Sequence, residues 1–377
     1  MKRRRFLAGL AAAPVALGRA AQQDRTAPRR ARLSWRSTVF AHPHADPYDL
    51  ANRHGFNHAP SVVALADGRL LAAWFSGPFE ASVHQVVLAA SSSDGGKSWS
   101  APTVLQDFPR KSDFDPAFIA DGRRTWFFFS AGRWNRYPFL RNERKGGVGP
   151  DSFRTYARRT DDAGRTWSEP VAIAERRGCR TNGIRLRTGE LVLPTYDFGD
   201  RTAGVLRSAD GGRTWRVFGR ISTPAGADEP TVAELGSGAI LMYLRTTDGV
   251  LWGSRSNDRG ENWSAPEKTG MVAAAASHNL FRLRDGRLAL THDECRPPLR
   301  TPLTLRLSSD DGAMWGEPLV LAEVPVPKEG DAIWGRQATY PSAAEMPDGA
   351  LLVVWAEIVL SDDEQYGDIR AARVEVG

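Results

Sequence analysis

The segment Ser92–Trp99, SSDGGKSW, decides the fold, because the chain repeats it four more times with small changes. The other copies are TDDAGRTW from Thr160, SADGGRTW from Ser208, SNDRGENW from Ser256 and SSDDGAMW from Ser308. All five fit the pattern [ST]-x-D-x-G-x-x-W, and their aspartates lie 68, 48, 48 and 52 residues apart. A repeat of this period predicts an architecture built of similar units.

Each eight-residue repeat has the chemistry of a tight turn between two strands. Aspartate accepts hydrogen bonds from backbone N–H groups further round the turn, and glycine adopts the positive φ that a side chain disfavours. We expect the tryptophan ring to cover the turn. The five aspartates and five tryptophans are therefore assigned to the fold rather than to a site.

A second repeat lies between the copies of the first. Six segments read as strand, two-residue turn of Asp-Gly type, and strand. Together with the strands that flank the eight-residue repeats, they give about four strands per unit. Six such units predict an all-β protein with the fold of a six-bladed β-propeller carrying five of these turns.

The inner strand of each blade should line a central channel and begin beside an axial pocket. The predicted first residues of the six inner strands are all polar: His58, Asp115, Asn182, Glu229, His278 and Tyr340. Polar side chains in these places indicate a site on the axis rather than a purely apolar core.

The composition fits a single large domain. The chain has 377 residues, of which 41% are hydrophobic, enough to bury a sizeable core. Its formal net charge is +6, but seven arginines fall within the first thirty residues. The overall charge therefore gives little support for a nucleic-acid partner, and we expect none.

The first residues have the features of an export signal. Residues 1–20 combine a basic start, a short apolar stretch and small residues spaced for cleavage, and Arg3-Arg4-Arg5-Phe6-Leu7 resembles the twin-arginine motif. An ordinary secretory signal or a retained anchor is the alternative. We predict a linker over residues 21–31, a propeller over residues 32–377, and a periplasmic or extracellular protein without stable membrane insertion.

The N-terminal strand is expected to close the ring. The sixth unit has no eight-residue repeat, so Arg32–Phe40, RLSWRSTVF, should supply its missing strand. The two cysteines, Cys179 and Cys295, belong to different predicted blades. One disulfide is conceivable in an oxidising compartment, but a free buried pair is expected. No cysteine–histidine cluster has zinc spacing, and we predict no metal or cofactor.

Over about residues 52–376 the chain resembles the sialidase (neuraminidase) superfamily, whose Asp boxes have the same pattern as the eight-residue repeat. The resemblance implies an exo-glycosidase in which Tyr340 is the nucleophile. It also implies that Glu229 is the base for Tyr340 and that Arg245, sixteen residues after Glu229, binds a substrate carboxylate. A phenol with a pKa of about 10 needs such a base at neutral pH.

Two departures from that family concern the substrate. His58 stands where the family has the first arginine of its carboxylate clamp, and the family's acid/base aspartate is not evident in the segment Glu80–Gln85. His58 and Asp115 are therefore candidate catalytic residues, and Glu80 and His84 could also serve as the acid/base. His84, Asn182 and His278 are candidate substrate ligands, with Arg300 and Arg336 as candidate clamp arginines.

The leading hypothesis is a monomeric exo-glycosidase that acts on a terminal, acidic sugar of a glycan or glycoconjugate. One alternative is a carbohydrate-binding propeller that has lost its catalytic set. The other is a polysaccharide lyase that uses His58 or His84 as its base together with Tyr340.

Overall fold

The computed structural model describes residues 30–42, 53–133, 153–325, 335–360 and 365–377. These residues form strands, turns and loops, and no helix among them is long and apolar enough to cross a membrane. The predicted export segment, almost all of the predicted linker and residues 134–152 lie outside the described residues.

Six sheets confirm the predicted propeller. The first strand of the chain, β1 (Arg32–Phe40), belongs to the last sheet. Blade 1 consists of β2 (Phe56–Ala64), β3 (Leu70–Gly77), β4 (Val86–Ser92) and β5 (Thr103–Gln106). Blade 2 consists of β6 (Ser112–Asp121), β7 (Arg124–Gly132), β8 (Arg154–Thr160) and β9 (Val171–Glu175).

The inner strand of blade 3 is split into two short pieces. This blade consists of β10 (Arg177–Cys179), β11 (Ile184–Arg185), β12 (Leu191–Asp197), β13 (Thr202–Ser208) and β14 (Arg216–Ile221). Blade 4 consists of β15 (Asp228–Glu234), β16 (Ile240–Arg245), β17 (Val250–Ser256) and β18 (Glu267–Val272).

The last two blades follow the same pattern. Blade 5 consists of β19 (Asn279–Arg282), β20 (Leu288–Asp293), β21 (Leu303–Ser308) and β22 (Leu319–Ala322). Blade 6 consists of β23 (Arg336–Glu345), β24 (Leu351–Leu360), β25 (Gln365–Glu375) and β1. The pairing of β1 with β25 runs from Arg32 opposite Glu375 to Phe40 opposite Ile369, which confirms the predicted ring closure.

Each eight-residue repeat forms the turn between the third and fourth strands of its blade. In the first copy, Asp94 Oδ1 accepts from Ser92 Oγ (2.8 Å) and from the Ser98 N–H (3.0 Å). The repeat also contacts the neighbouring blade: Trp99 packs on the apolar core between blades 1 and 6. Blade 6 has no such turn because its fourth strand comes from the other end of the chain.

Side chains from neighbouring blades satisfy the backbone along the channel. Ser342 Oγ accepts from the Val62 N–H (3.2 Å), and Asn182 Oδ1 accepts from the Phe118 N–H (2.8 Å). Thr231 and Asn279 do the same for blades 5 and 6. An inner strand has no further strand beside it, so these bonds replace a missing ladder.

Both cysteines are free, as expected, but only Cys179 is buried. Cys295 is half-buried in the loop after β20, which corrects the expectation of two buried thiols.

Candidate active site

Four inner strands carry the same irregularity in their first half, at the end where the axial site is predicted. Their register shifts at an X-Pro pair, and the residue before proline has a positive φ. These residues and their φ values are Ala59 (52°), Asp115 (52°), Glu229 (38°) and Tyr340 (59°). Proline cannot donate to the ladder, and a bulge re-aims a side chain. The inner strands thus begin before the predicted residues, and the bulges turn Asp115, Glu229 and Tyr340 towards the axis.

Tyr340, Glu229 and Arg245 form a hydrogen-bonded group at the centre of the ring. The Tyr340 hydroxyl donates to Glu229 Oε1 (2.9 Å) and accepts from Arg245 Nη1 (2.8 Å). The same Arg245 Nη1 lies 2.7 Å from Glu229 Oε2. Glu229 and Tyr340 are 6% and 7% exposed, so these interactions operate largely out of water.

The charges in this group are set by their neighbours. Burial acts to raise the pKa of Glu229, but the charge and hydrogen bond of Arg245 outweigh it and leave that pKa lowered. Burial raises the pKa of Tyr340, and Glu229 adds to the rise against the opposing effect of Arg245. At neutral pH the pair is therefore a carboxylate that accepts from a protonated phenol.

Two further arginines lie against the Tyr340 ring. The guanidinium of Arg180 is 5.0 Å from the ring centroid and that of Arg300 is 5.6 Å from it. Arg300 also donates to Gln337 Oε1 (3.3 Å) and to the Ala275 carbonyl (3.0 Å). The tyrosine therefore sits among three cations, Arg180, Arg245 and Arg300.

His58 is packed beside the tyrosine. Its ring centroid is 4.2 Å from that of Tyr340, and its Nδ1 has no hydrogen-bond partner among the described residues. Burial lowers the pKa of His58 well below its ordinary value, and Arg300 and Arg180 lower it further. The imidazole is therefore neutral over the physiological range and adds no fixed charge to the pocket.

Two more carboxyl groups near the axis hold protons unusually tightly. Burial raises the pKa of Glu80, in the loop between β3 and β4, to about 7, against the opposing effect of Arg300. Burial also raises the pKa of Asp115 to about 8, against Arg180. Asp115 Oδ2 accepts from the Tyr196 hydroxyl (3.3 Å). Both groups can donate a proton near neutral pH.

The other predicted site residues are placed less centrally. The Asn182 amide hydrogen-bonds to backbone groups: its Nδ2 donates to the Val62 carbonyl (2.9 Å), and its Oδ1 accepts from the Phe118 N–H. His278 is 1% exposed, and burial lowers its pKa to about 4. His84 is exposed in the loop with Glu80, and Arg336 is exposed at the first residue of β23.

Sequence reasoning missed Arg180, although a signal was present. Asn182 and Ser342 play the same part, because each accepts from the backbone N–H of the neighbouring inner strand. Two residues earlier in the chain stand Arg180, between β10 and β11, and Tyr340, in β23, so the two residues occupy equivalent positions. Blade 3 has Thr181 in place of proline, which hid this correspondence.

The arrangement suits proton transfer and nucleophilic attack on an anionic or polar substrate. No group of three or more histidine, cysteine or acidic side chains within the described ranges could hold a metal ion. What the described pocket residues supply is a phenol, a carboxylate base, protonated carboxyls and guanidinium groups.

Comparisons with known proteins place this site in context. The chain is 25% identical over 296 residues to a sialidase of Bacteroides fragilis strain YCH46 and 26% identical over 308 residues to a sialidase of Micromonospora viridifaciens. These matches cover 68% and 71% of this chain but only 53% and 47% of those proteins, so the chain spans about half the length of these curated relatives.

The fold agrees with these matches. An intramolecular trans-sialidase from Ruminococcus gnavus, solved with oseltamivir carboxylate, superposes with a TM-score of 0.66 at 16% identity, over 89% of this chain and 96% of that one. Residues 68–353 match the BNR repeat-like domain family. The chain therefore belongs to that family, within the sialidase/BNR β-propeller superfamily.

Proposed function

We propose that this protein is an exo-glycosidase of the sialidase type that releases a terminal acidic sugar from a glycan. The observation that carries the proposal is the position of the Tyr340 hydroxyl between Glu229 Oε1 and Arg245 Nη1, at 2.9 and 2.8 Å. A buried tyrosine bonded to an ionised carboxylate is an activated nucleophile. The relatives described as sialidases support the same class of reaction.

In the first step of the proposed reaction, Tyr340 Oη attacks the anomeric carbon and its proton passes to Glu229. The bond from the anomeric carbon to the leaving oxygen breaks, and that oxygen takes a proton from Glu80, whose pKa of about 7 makes it a suitable acid. In the second step a water oxygen attacks the anomeric carbon and gives a proton to Glu80, while the bond from that carbon to Tyr340 Oη breaks and the sugar is released. Glu229 then returns the first proton to the phenol.

Arg245 and Arg300 are the proposed partners of the substrate carboxylate. Both guanidinium groups lie close to Tyr340, and a guanidinium matches a carboxylate with two parallel hydrogen bonds. His58, neutral and beside the tyrosine, supplies at most one uncharged hydrogen bond where the superfamily pattern has a clamp arginine. We therefore expect this site to select for a carboxylate substrate less strongly than a site with three arginines around the carboxylate.

A lyase is the second candidate, and His58 is the observation that favours it. A neutral imidazole with an unpartnered Nδ1, packed 4.2 Å from a tyrosine ring, could remove the proton next to a uronate carboxylate. Lysis leaves a carbon–carbon double bond that absorbs ultraviolet light, whereas hydrolysis does not.

The test is a panel of aryl glycosides and polyuronates assayed with wild type, Tyr340→Phe and Tyr243→Phe. Tyr243 is a matched control, because it is buried in the core of blades 4 and 5 and its hydroxyl accepts from Trp315. The proposal expects wild type and the Tyr243 variant to cleave an acidic aryl glycoside, and Tyr340→Phe to lose at least about 10³-fold in kcat.

Intact-protein mass after acid quenching should show one sugar on wild type and none on Tyr340→Phe. Ultraviolet absorbance that grows with a polyuronate would favour the lyase. Binding of a glycan with no turnover by any variant would favour the non-catalytic carbohydrate-binding alternative.

A further inference from the structure

Arg180 is a buried cation at the centre of the propeller that the proposed reaction does not use. Its side chain is among the largest in the described protein to be fully enclosed, with 1% exposure. A guanidinium so enclosed cannot touch a substrate. Burying a permanent charge is costly unless the group is well paired, so the bonds that this arginine makes indicate what it is for.

Those bonds go to the two strands that flank the gap between blades 1 and 6. Arg180 Nη2 donates to the Tyr340 carbonyl (3.0 Å) and to the Pro60 carbonyl (3.2 Å). Nη1 donates to Ser61 Oγ (3.4 Å). One planar group from blade 3 thus ties together β2 and β23, which belong to two other blades.

Both bonded segments belong to the four strained bulges. Tyr340 itself has φ 59°, and Pro60 follows Ala59, which has φ 52°. Non-glycine residues keep this conformation only where the surroundings enforce it. The φ of Tyr340 decides where its ring and hydroxyl lie, so a bond to the Tyr340 carbonyl acts directly on the position of that hydroxyl.

The charge of Arg180 also acts on the pocket. It is one of the causes that lower the pKa of Glu229, after Arg245. It opposes the rise in the pKa of Asp115 that burial causes. The guanidinium also lies 5.0 Å from the centroid of the Tyr340 ring, within the range of a cation–π contact.

We propose that Arg180 is a positioning residue that holds the Tyr340 hydroxyl against Glu229 by bonding the bulges of β2 and β23 to each other. The proposal rests on the proposed function, since it assigns Arg180 a part in the Tyr340 reaction. It has two separable components, the geometry of a planar fork and a fixed positive charge.

Two substitutions separate these components. Arg180→Lys keeps a charge but cannot bond both carbonyls in one plane, so kcat should fall about 10²-fold with little change in KM and an unshifted acid limb of the pH profile. Arg180→Met loses both, so kcat should fall at least as far. Its acid limb should also move to higher pH, because the pKa of Glu229 rises without the cation.

The acid limb depends on several groups that face Glu229. They are Arg245 and Tyr340 by hydrogen bond or ion pair, and Arg180, Glu80, Asp115, Tyr196 and His278 by charge. Only Arg180 differs between the variants, so a shift seen in the methionine variant and absent from the lysine variant reports its charge.

Arg158→Met is the matched control. Arg158 is half-buried where Arg180 is fully enclosed, but like Arg180 it donates to two backbone carbonyls, those of Ser168 (2.8 Å) and Leu105 (2.6 Å). It lies on β8, beside the outer strand of blade 1. It should match wild type in kcat and pH profile. A purely structural role for Arg180 predicts lower thermal stability in both Arg180 variants with kcat per folded molecule equal to that of wild type, and that result overturns the proposal.

A crystal structure of the Arg180 variants distinguishes failure of this inference from failure of the proposed function. If wild type cleaves no substrate, the proposed function fails, but the crystal structures still test whether Arg180 positions Tyr340. Loss of the left-handed φ at Tyr340 in these variants, or loss of its bond to Glu229, supports the positioning role of Arg180. An unmoved Tyr340 in both variants overturns it. If the methionine variant does not fold, the lysine variant decides by the same criteria.

Discussion

Glu229 accepts a hydrogen bond from the Tyr340 hydroxyl at 2.9 Å although the two residues lie 111 positions apart, on blades 4 and 6. The carboxylate has a lowered pKa and the phenol a raised one, so the proton rests on the tyrosine before reaction. The base is already in contact with the atom that it must deprotonate, and no rearrangement is needed to bring them together.

Glu229→Gln should abolish this proton acceptance. The amide keeps the shape of the side chain and can still accept a hydrogen bond, but it cannot take the proton, so kcat should fall by roughly 10² to 10⁴. Steady-state kinetics on an acidic aryl glycoside measures the loss. Glu234→Gln is the control, because Glu234 ends the same strand but pairs with Arg187 outside the pocket. Equal losses in both variants would show a stability effect instead.

Glu80→Gln should damage the reaction in proportion to the basicity of the leaving group. A sugar alcohol needs a proton as it departs and an acidic phenol does not, so we expect a loss of about 10²-fold or more on a disaccharide and far less on a nitrophenyl glycoside. In wild type the acid form is lost as pH rises through about 7, so activity on the disaccharide should decline above that pH. An equal loss on both substrates would exclude Glu80 as the acid.

His58→Arg should raise activity on substrates that carry a carboxylate. It adds a permanent cation beside Tyr340, where the present imidazole is neutral. A gain of about tenfold in kcat/KM on a sialoside, with no gain on a neutral glycoside, corresponds to about 1.4 kcal/mol of added charge-assisted bonding. Thermal unfolding checks that the buried position tolerates the larger side chain. An unchanged ratio of the two activities would show that this position does not select the substrate.

Gly212→Ala should destabilise the fold more than Gly211→Ala, although both glycines have positive φ (84° and 71°). A Cβ on Gly212 would overlap the Trp126 ring of the neighbouring blade, whereas one on Gly211 meets nothing within 4 Å. Backbone strain of roughly 1–2 kcal/mol applies to both, and overpacking adds a further 1–3 kcal/mol at Gly212. Urea unfolding measures the difference. Activity per folded molecule should be equal, because this turn lies on the face away from the pocket.

Asp293→Asn should make the protein more stable at pH 8 than wild type and bring no gain at pH 4. Burial raises the pKa of Asp293 to about 7, so its contribution to stability is fully present below the unfolded value near 4 and is lost as pH rises to about 7. An amide oxygen can still accept from Thr339 Oγ1, now 2.5 Å from Asp293 Oδ2. We expect a gain of about 2 kcal/mol at pH 8 in urea unfolding. A difference between the two proteins that does not vary with pH would contradict this.

The blade count followed from the sequence because turn chemistry is local. Residues such as Asp94 and Gly96 act within a few positions of one another, so five copies predicted five turns and the missing sixth predicted the role of β1. Glu229, Arg245 and Tyr340 were found by resemblance, and the structure brings them together.

The rest of the site depends on bulges and loops that have no periodic pattern. In blade 1 the bulge residue is Ala59. His58, predicted as the first residue of that strand, therefore precedes the bulge and does not hold the position that Tyr340 has in blade 6. Arg300 reaches Tyr340 from an irregular loop, whereas Arg336, the other candidate, lies exposed at a strand start. Arg180 escaped notice because its strand lacks the proline that marks the other bulges.

The pairing of β1 with β25 sets an order of events during synthesis. β1 is made before the other described strands, yet its partner strand, β25, is made after all of them; Ser34, for instance, donates to Glu375, 341 positions later. A growing chain can assemble the earlier blades one by one, but its final sheet stays one strand short until β25 has been translated. Tyr340 belongs to that final sheet. The chain therefore completes the blade that carries its proposed nucleophile only when β25 pairs with β1, so that a product cut short before β25 is left with an unfinished blade 6.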